Sequence, residues 1–123
     1  MRAAAFALAL VAAGCAVEPV TPDAPRALDD VEIAPYEVRE ECAQLAAGDR
    51  IDWRFEAKAP VTFNLYYLEG GAFLAPISRD DTTADAGVFL ARDARRFCLR
   101  WEAGRQGAVL TYRIRVLPAG GAR

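Results

Sequence analysis

The sequence predicts an all-β protein, an antiparallel β-sandwich of about 7–8 strands closed by one disulfide. Three observations carry that prediction. Apolar and polar residues alternate with period two over Ile51–Glu56 and Val61–Tyr67, and again over Phe97–Trp101 and Leu110–Val116. Gly70-Gly71 stands between two apolar runs, where two residues free to take positive φ close a tight hairpin. No long segment keeps a helical period.

The chain opens with Met1-Arg2 and an apolar run from Ala3 to Val11. That run has the length of a signal-peptide core and falls short of the roughly 20 residues that a membrane span needs. Ala12-Ala13-Gly14-Cys15 then resembles the bacterial lipoprotein box, in which small residues precede a cysteine that is acylated and becomes the new N-terminus. The box usually has Leu where Ala12 stands. Residues 1–14 are therefore expected as a signal peptide and Cys15 as the lipid anchor; the alternative is ordinary cleavage after a small residue such as Ala16. Ala16 after the anchor, in place of Asp, favours the periplasmic side of the outer membrane. Without lipidation the expected location is the soluble periplasm. From residue 15 to residue 30, Pro19, Pro22 and Pro25 lie among Ala and acidic residues with no apolar period, which predicts an extended tether.

The expected body is 31–119, about 90 residues, enough for a modest core that benefits from a covalent staple. No helix beyond one or two turns, near Arg39 to Ala47, is expected. Ile51, Trp53 and Phe55 give the inward face of one strand, and Val61, Phe63, Leu65 and Tyr67 that of the next. Ala72 to Ile77 continues after the glycine turn, with Pro76 marking an edge or a strand end. A polar loop over Ser78–Ala86 and a short strand over Val88–Ala91 follow. The last pair is Phe97, Leu99 and Trp101 against Leu110, Tyr112, Ile114 and Val116, with 120–123 as a tail.

If those last two strands pair, facing their apolar sets sets Trp101 opposite Leu110, Leu99 opposite Tyr112 and Phe97 opposite Ile114. The outer face then carries Arg100, Cys98 opposite Arg113, and Arg96 opposite Arg115. With Cys15 assigned to the anchor, Cys42 and Cys98 remain as an even pair suited to an oxidising compartment. Their bridge is expected to lay the acidic segment of Glu37, Glu40 and Glu41 over this basic face.

Glu41-Cys42 with Leu45, Gly48-Asp49 opening a strand, Pro60–Tyr67 as a second strand, and Arg96-Phe97-Cys98-Leu99-Arg100-Trp101 before a last strand together resemble the GOLD domain. That domain is the lumenal β-sandwich of the cargo receptors of early secretory transport. The resemblance covers Glu40 to Val116 and implies a GOLD-like, jelly-roll-like sandwich with a Cys42–Cys98 disulfide that acts by binding proteins. The chain departs from the pattern at Trp101-Glu102 and is not followed by a coiled coil and membrane span, so transport-receptor activity is not carried over. The nearer likeness is to small exported bacterial proteins of the same sandwich type, without assigned activity.

Composition narrows the chemistry. The sequence contains no histidine, which excludes Ser-His-Asp and Cys-His nucleophile pairs and histidine-bearing zinc sites. Fifteen basic residues against 17 acidic ones give a net charge of −2, which does not support a nucleic-acid partner. Asp81, Thr83 and Asp85 before Gly87 faintly resemble a calcium loop, but Ala86 and Arg92 stand where an EF-hand has Gly and Glu. Asp52 and Glu56 share a strand face as solvated or Arg-paired carboxylates. No catalytic residue, metal or cofactor is expected. The candidate interaction surface is Asn64, Tyr66, Arg96, Arg100, Arg113 and Arg115, because tyrosine joins apolar area to a hydroxyl and guanidinium forks take carboxylates and phosphates. The function expected is non-enzymatic recognition of another envelope protein or envelope component, with a small anionic-ligand or sugar-binding module as the alternative.

Overall fold

The computed structural model describes residues 18–120. The signal peptide expected at 1–14, the acylation of Cys15 and the tail beyond residue 120 lie outside the described residues. Six strands form: β1 (Arg26–Ile33), β2 (Val38–Leu45), β3 (Arg50–Glu69), β4 (Ala72–Leu90), β5 (Arg95–Ala103) and β6 (Ala108–Leu117). All pairings are antiparallel, in the order β1-β6-β3-β5-β2 with β4 on the other side of β3.

The strands number six and form one curled sheet, where seven to eight were expected, and the difference in number lies in β3 and β4. The two strands expected before the glycine turn are a single strand of 20 residues, β3. The expected loop over Ser78–Ala86 is the middle of β4, which continues the ladder to Leu90. The register shifts between Glu56 and Val61, where Pro60 lacks an N–H, so the ladder bends there without ending. The first half of β3 pairs with β6 (Asp52 with Arg115, Phe55 with Tyr112) and the second half with β5 (Phe63 with Trp101, Tyr66 with Cys98). Strands β5 and β6 thus follow one another along the same side of β3 and do not pair with each other, which replaces the register expected between them. Strands β1 and β2 run in the same end-to-end way along β6 and β5.

Curling closes the inward faces of the two halves on each other. Phe55 meets Phe63 at 4.8 Å and Trp101 at 5.9 Å between ring centroids, and Trp101 meets Tyr112 at 4.7 Å. These rings, with Ile51, Leu65, Leu99, Leu110 and Ile114, form a continuous core. Such tilted and edge-on aromatic pairs contribute about 0.5–1.5 kcal/mol each beyond the area they bury. At the open end, Gly48 N–H donates to Ala91 O and Ala91 N–H to Asp49 O, tying the two loops that pass between the halves.

Two glycine sites fix the geometry. Gly70 and Gly71 both have positive φ (57° and 82°), as a two-residue turn whose twist matches the flanking strands requires. At Gly87 a Cβ would lie 2.6 Å from the Trp53 ring, so only glycine lets the indole lie against β4.

The N-terminal segment differs from the tether expected through residue 30. β1 already begins at Arg26. Val20 is buried at 1% exposure, and its N–H donates to Cys42 O over 2.8 Å. Prolines and acids conceal this segment because β1 is half exposed and bulged between Leu28 and Val31, which erases the alternation. The short helix allowed at Arg39–Ala47 is strand β2.

Candidate functional site

Cys42 and Cys98 form a disulfide, and they are direct cross-strand partners in the β2–β5 ladder with Cα atoms 4.0 Å apart. The acidic strand therefore lies beside the basic one in the same sheet, not over its face. Glu40 stands opposite Arg100, and their side chains pair at 3.6 Å. Arg100 also holds Glu102 at 3.0 Å.

The sheet separates the six residues expected to share a surface. Asn64, Tyr66, Arg96 and Arg100 belong to the β3–β5 half, whose outer face also carries the disulfide. Arg113 and Arg115 lie on the outside of the β3–β6 half, where Arg113 pairs with Asp29 at 2.8 Å and Arg115 with Asp52 at 3.0 Å. Because the inward faces of the halves meet, these two groups point away from each other. The expected juxtapositions of Arg113 with Cys98 and Arg115 with Arg96 do not form.

Within the β3–β5 half the candidates differ in access. Asn64 is buried. Tyr66 is 9% exposed: its ring stacks on Phe73 at 4.3 Å, and its hydroxyl donates to Glu40 Oε1 over 2.6 Å. Burial first, and then the bond to Glu40, push the phenol up to about 12, so it stays protonated at any physiological pH. Arg96 is exposed and has no ion pair among the described residues. Arg95 lies over the Tyr67 ring at 4.6 Å and contacts Glu69 at 3.4 Å. Glu40, Tyr66, Leu68, Arg95, Arg96 and Cys98 are among the residues that line a cleft of about 260 Å³.

The sequence reading missed two members of this surface, Leu68 and Phe73. They are cross-strand partners flanking the Gly70-Gly71 turn and are 63% and 49% exposed. The signal was present: Leu68 continues the outer set of Asn64 and Tyr66 at period two, and the hairpin register places Phe73 beside it.

A second polar cluster was also missed, and it faces inward. Glu41 is 1% exposed, accepts a hydrogen bond from the Tyr112 hydroxyl at 2.7 Å and pairs with Arg26 at 3.5 Å. Arg39 Nε donates to the same hydroxyl at 3.1 Å. Burial, and then the bond to Glu41, raise the Tyr112 phenol. The cluster joins β1 and β2 to β6 at the edge of the core, which is a structural role. Asp85, taken from the calcium-like run, accepts a bond from Trp53 Nε1 at 3.3 Å, and Asp52 is held by Arg115. Among the described residues, no helix is long and apolar enough to cross a membrane. No family model matches the chain, and no curated protein matches it either.

Proposed function

We propose that this protein is an exported, lipid-anchored, non-enzymatic binding module that recognises an envelope protein or envelope component through the outer face of its β3–β5 half. The observation that carries the reading is the composition of that face. Two exposed apolar side chains, Leu68 and Phe73, adjoin the cleft under Tyr66 and an exposed Arg96 that has no ion pair among the described residues. Apolar anchors beside an aromatic ring and a guanidinium are the residue types that dominate recognition surfaces. We read the curled sheet as a GOLD-like sandwich, since β3 and β4 each supply a segment to both halves and the six strands thereby give eight segments.

Photocross-linking in intact cells tests the function. A photoreactive residue at Arg96 is expected to capture the same envelope component in independent preparations, whereas one at Arg115 captures none. Failure at both positions, or equal capture at both, would overturn the reading. The second reading, a small anionic or sugar ligand, is favoured by the cleft itself, although its volume lies below the roughly 300–1,000 Å³ of most ligand sites. Calorimetric titration with organic phosphates and sugars separates the two readings: saturable heat that disappears in Arg96→Ala supports the small ligand.

A further inference from the structure

We infer that the β3–β4 hairpin seats this protein on a phospholipid bilayer, with Leu68 and Phe73 entering the interfacial region and Arg96 facing lipid phosphates. This rests on the lipid anchor proposed at Cys15.

The geometry of attachment selects the bilayer as occupant. Val20 is pinned to Cys42, and five residues from Cys15 to Val20 span at most about 18 Å even when fully extended. An acylated Cys15 therefore holds the membrane surface within that distance of the Cys42 flank. Cys42, Cys98 and Tyr66 are successive cross-strand partners, and Phe73 stacks on Tyr66. At about 4.8 Å per strand, Tyr66 lies roughly 14 Å from the pinned segment and the strand of Phe73 roughly 19 Å, distances comparable with the reach of the anchor. The outer face of the other half points away and is out of register with such a surface.

The chemistry agrees with the geometry. Leu68 and Phe73 project as a pair beside a two-residue turn, a shape that enters the headgroup region without unfolding anything. Arg96, which shares the cleft with Leu68, is exposed and has no ion pair among the described residues, and a guanidinium fork suits phosphate oxygens. Glu69 and Asp93 are partly neutralised by Arg95.

The test places a tryptophan at Phe73 or, as control, at Val88, which is exposed on the outside of the other half. The native Trp53 and Trp101 are buried and so poorly placed to report contact. The full chain, purified with its cellular N-terminus and assayed for acylation by mass, is combined with phosphatidylethanolamine/phosphatidylglycerol vesicles carrying brominated acyl chains. Phe73→Trp is expected to shift to the blue and lose more than half of its added emission, and Val88→Trp to lose almost none. Leu68→Ser/Phe73→Ser is expected to weaken vesicle partitioning of the unacylated mature chain, from residue 16 onward, by roughly tenfold or more, since two large apolar side chains no longer enter the interface.

Acylated protein with equal quenching at both positions overturns the docking and leaves the anchor standing. Protein without acylation overturns the anchor, and quenching at Phe73→Trp then decides the docking alone. A blue shift at Phe73→Trp that appears without vesicles and grows with protein concentration assigns the patch to a second copy and overturns the proposal.

Discussion

Removing the disulfide is expected to cost a large part of the stability while leaving the sheet able to form. Cys42 and Cys98 are separated by 56 residues and stand directly opposite each other in the β2–β5 ladder. Closing a loop of that length in the unfolded chain reduces its entropy by the equivalent of about 4 kcal/mol. A domain of about 100 residues has a total stability of about 5–15 kcal/mol, so the bridge is a substantial fraction of it. At about 4–8 °C per kcal/mol, the double variant Cys42→Ala/Cys98→Ala should melt roughly 15–30 °C lower. Far-UV circular dichroism at low temperature should keep its β signature, because the ladder hydrogen bonds of β2 and β5 are made by the backbone. Thermal melts of the variant and of the dithiol-reduced wild type provide the assay, and the two should agree. A fall of less than about 5 °C would refute the entropic argument and show that β2 is held by its other contacts, the Glu40–Arg100 pair and the inward cluster at Glu41.

Three further variants test particular contacts. Gly87→Ala drives a methyl group into the Trp53 ring and should destabilise by about 1–3 kcal/mol, seen as a lower urea midpoint with unchanged slope. Tyr112→Phe leaves the buried Glu41 carboxylate without its hydroxyl donor and should cost about 1.5–3 kcal/mol at neutral pH. The same variant tests the alkaline limb: above about pH 10 the unfolded chain loses a phenol proton that native Tyr112 retains, so stability falls as pH rises, by about 1.4 kcal/mol per unit. Urea midpoints between neutral pH and about pH 11 should therefore decline less steeply in Tyr112→Phe than in wild type. Leu68→Ser/Phe73→Ser changes exposed side chains and should keep the melting temperature within a few degrees; a large loss would identify the pair as structural supports for Tyr66.

The sequence made legible those parts of the fold in which burial is one-sided. Ile51, Trp53 and Phe55, then Val61, Phe63 and Leu65, alternate because one face of β3 is core and the other is not, and the same holds for β5 and β6. The Gly70-Gly71 turn was readable from its two glycines, and the pairing of Cys42 with Cys98 from cysteine parity once Cys15 was set aside. Strand β2 was not, because its inward positions include Arg39 and Glu41, which Tyr112 links, and these leave no apolar alternation. The middle of β4 was hidden by Arg79, Asp80, Asp81 and Thr82, most of them exposed on an edge strand where polar residues are tolerated. Pairing β5 with β6 was the natural inference from two adjacent amphipathic strands. It fails because β3 is long enough to pair with both in turn, a non-local fact that local periodicity does not encode. That error merged the basic residues of two opposite faces into one: four of the six candidate residues lie in the β3–β5 half, and Arg113 and Arg115 lie in the other.

Hydrogen exchange of the protein in isolated envelopes, compared with the purified protein in solution, tests most directly that the outer face of the β3–β5 half is the working surface. The amides of Leu68–Leu74 and Arg92–Phe97 should gain protection in envelopes, while those of Asp52–Glu56 and Arg113–Arg115 remain as they are in solution. Protection confined to the β3–β6 half, or no difference anywhere, would contradict the account.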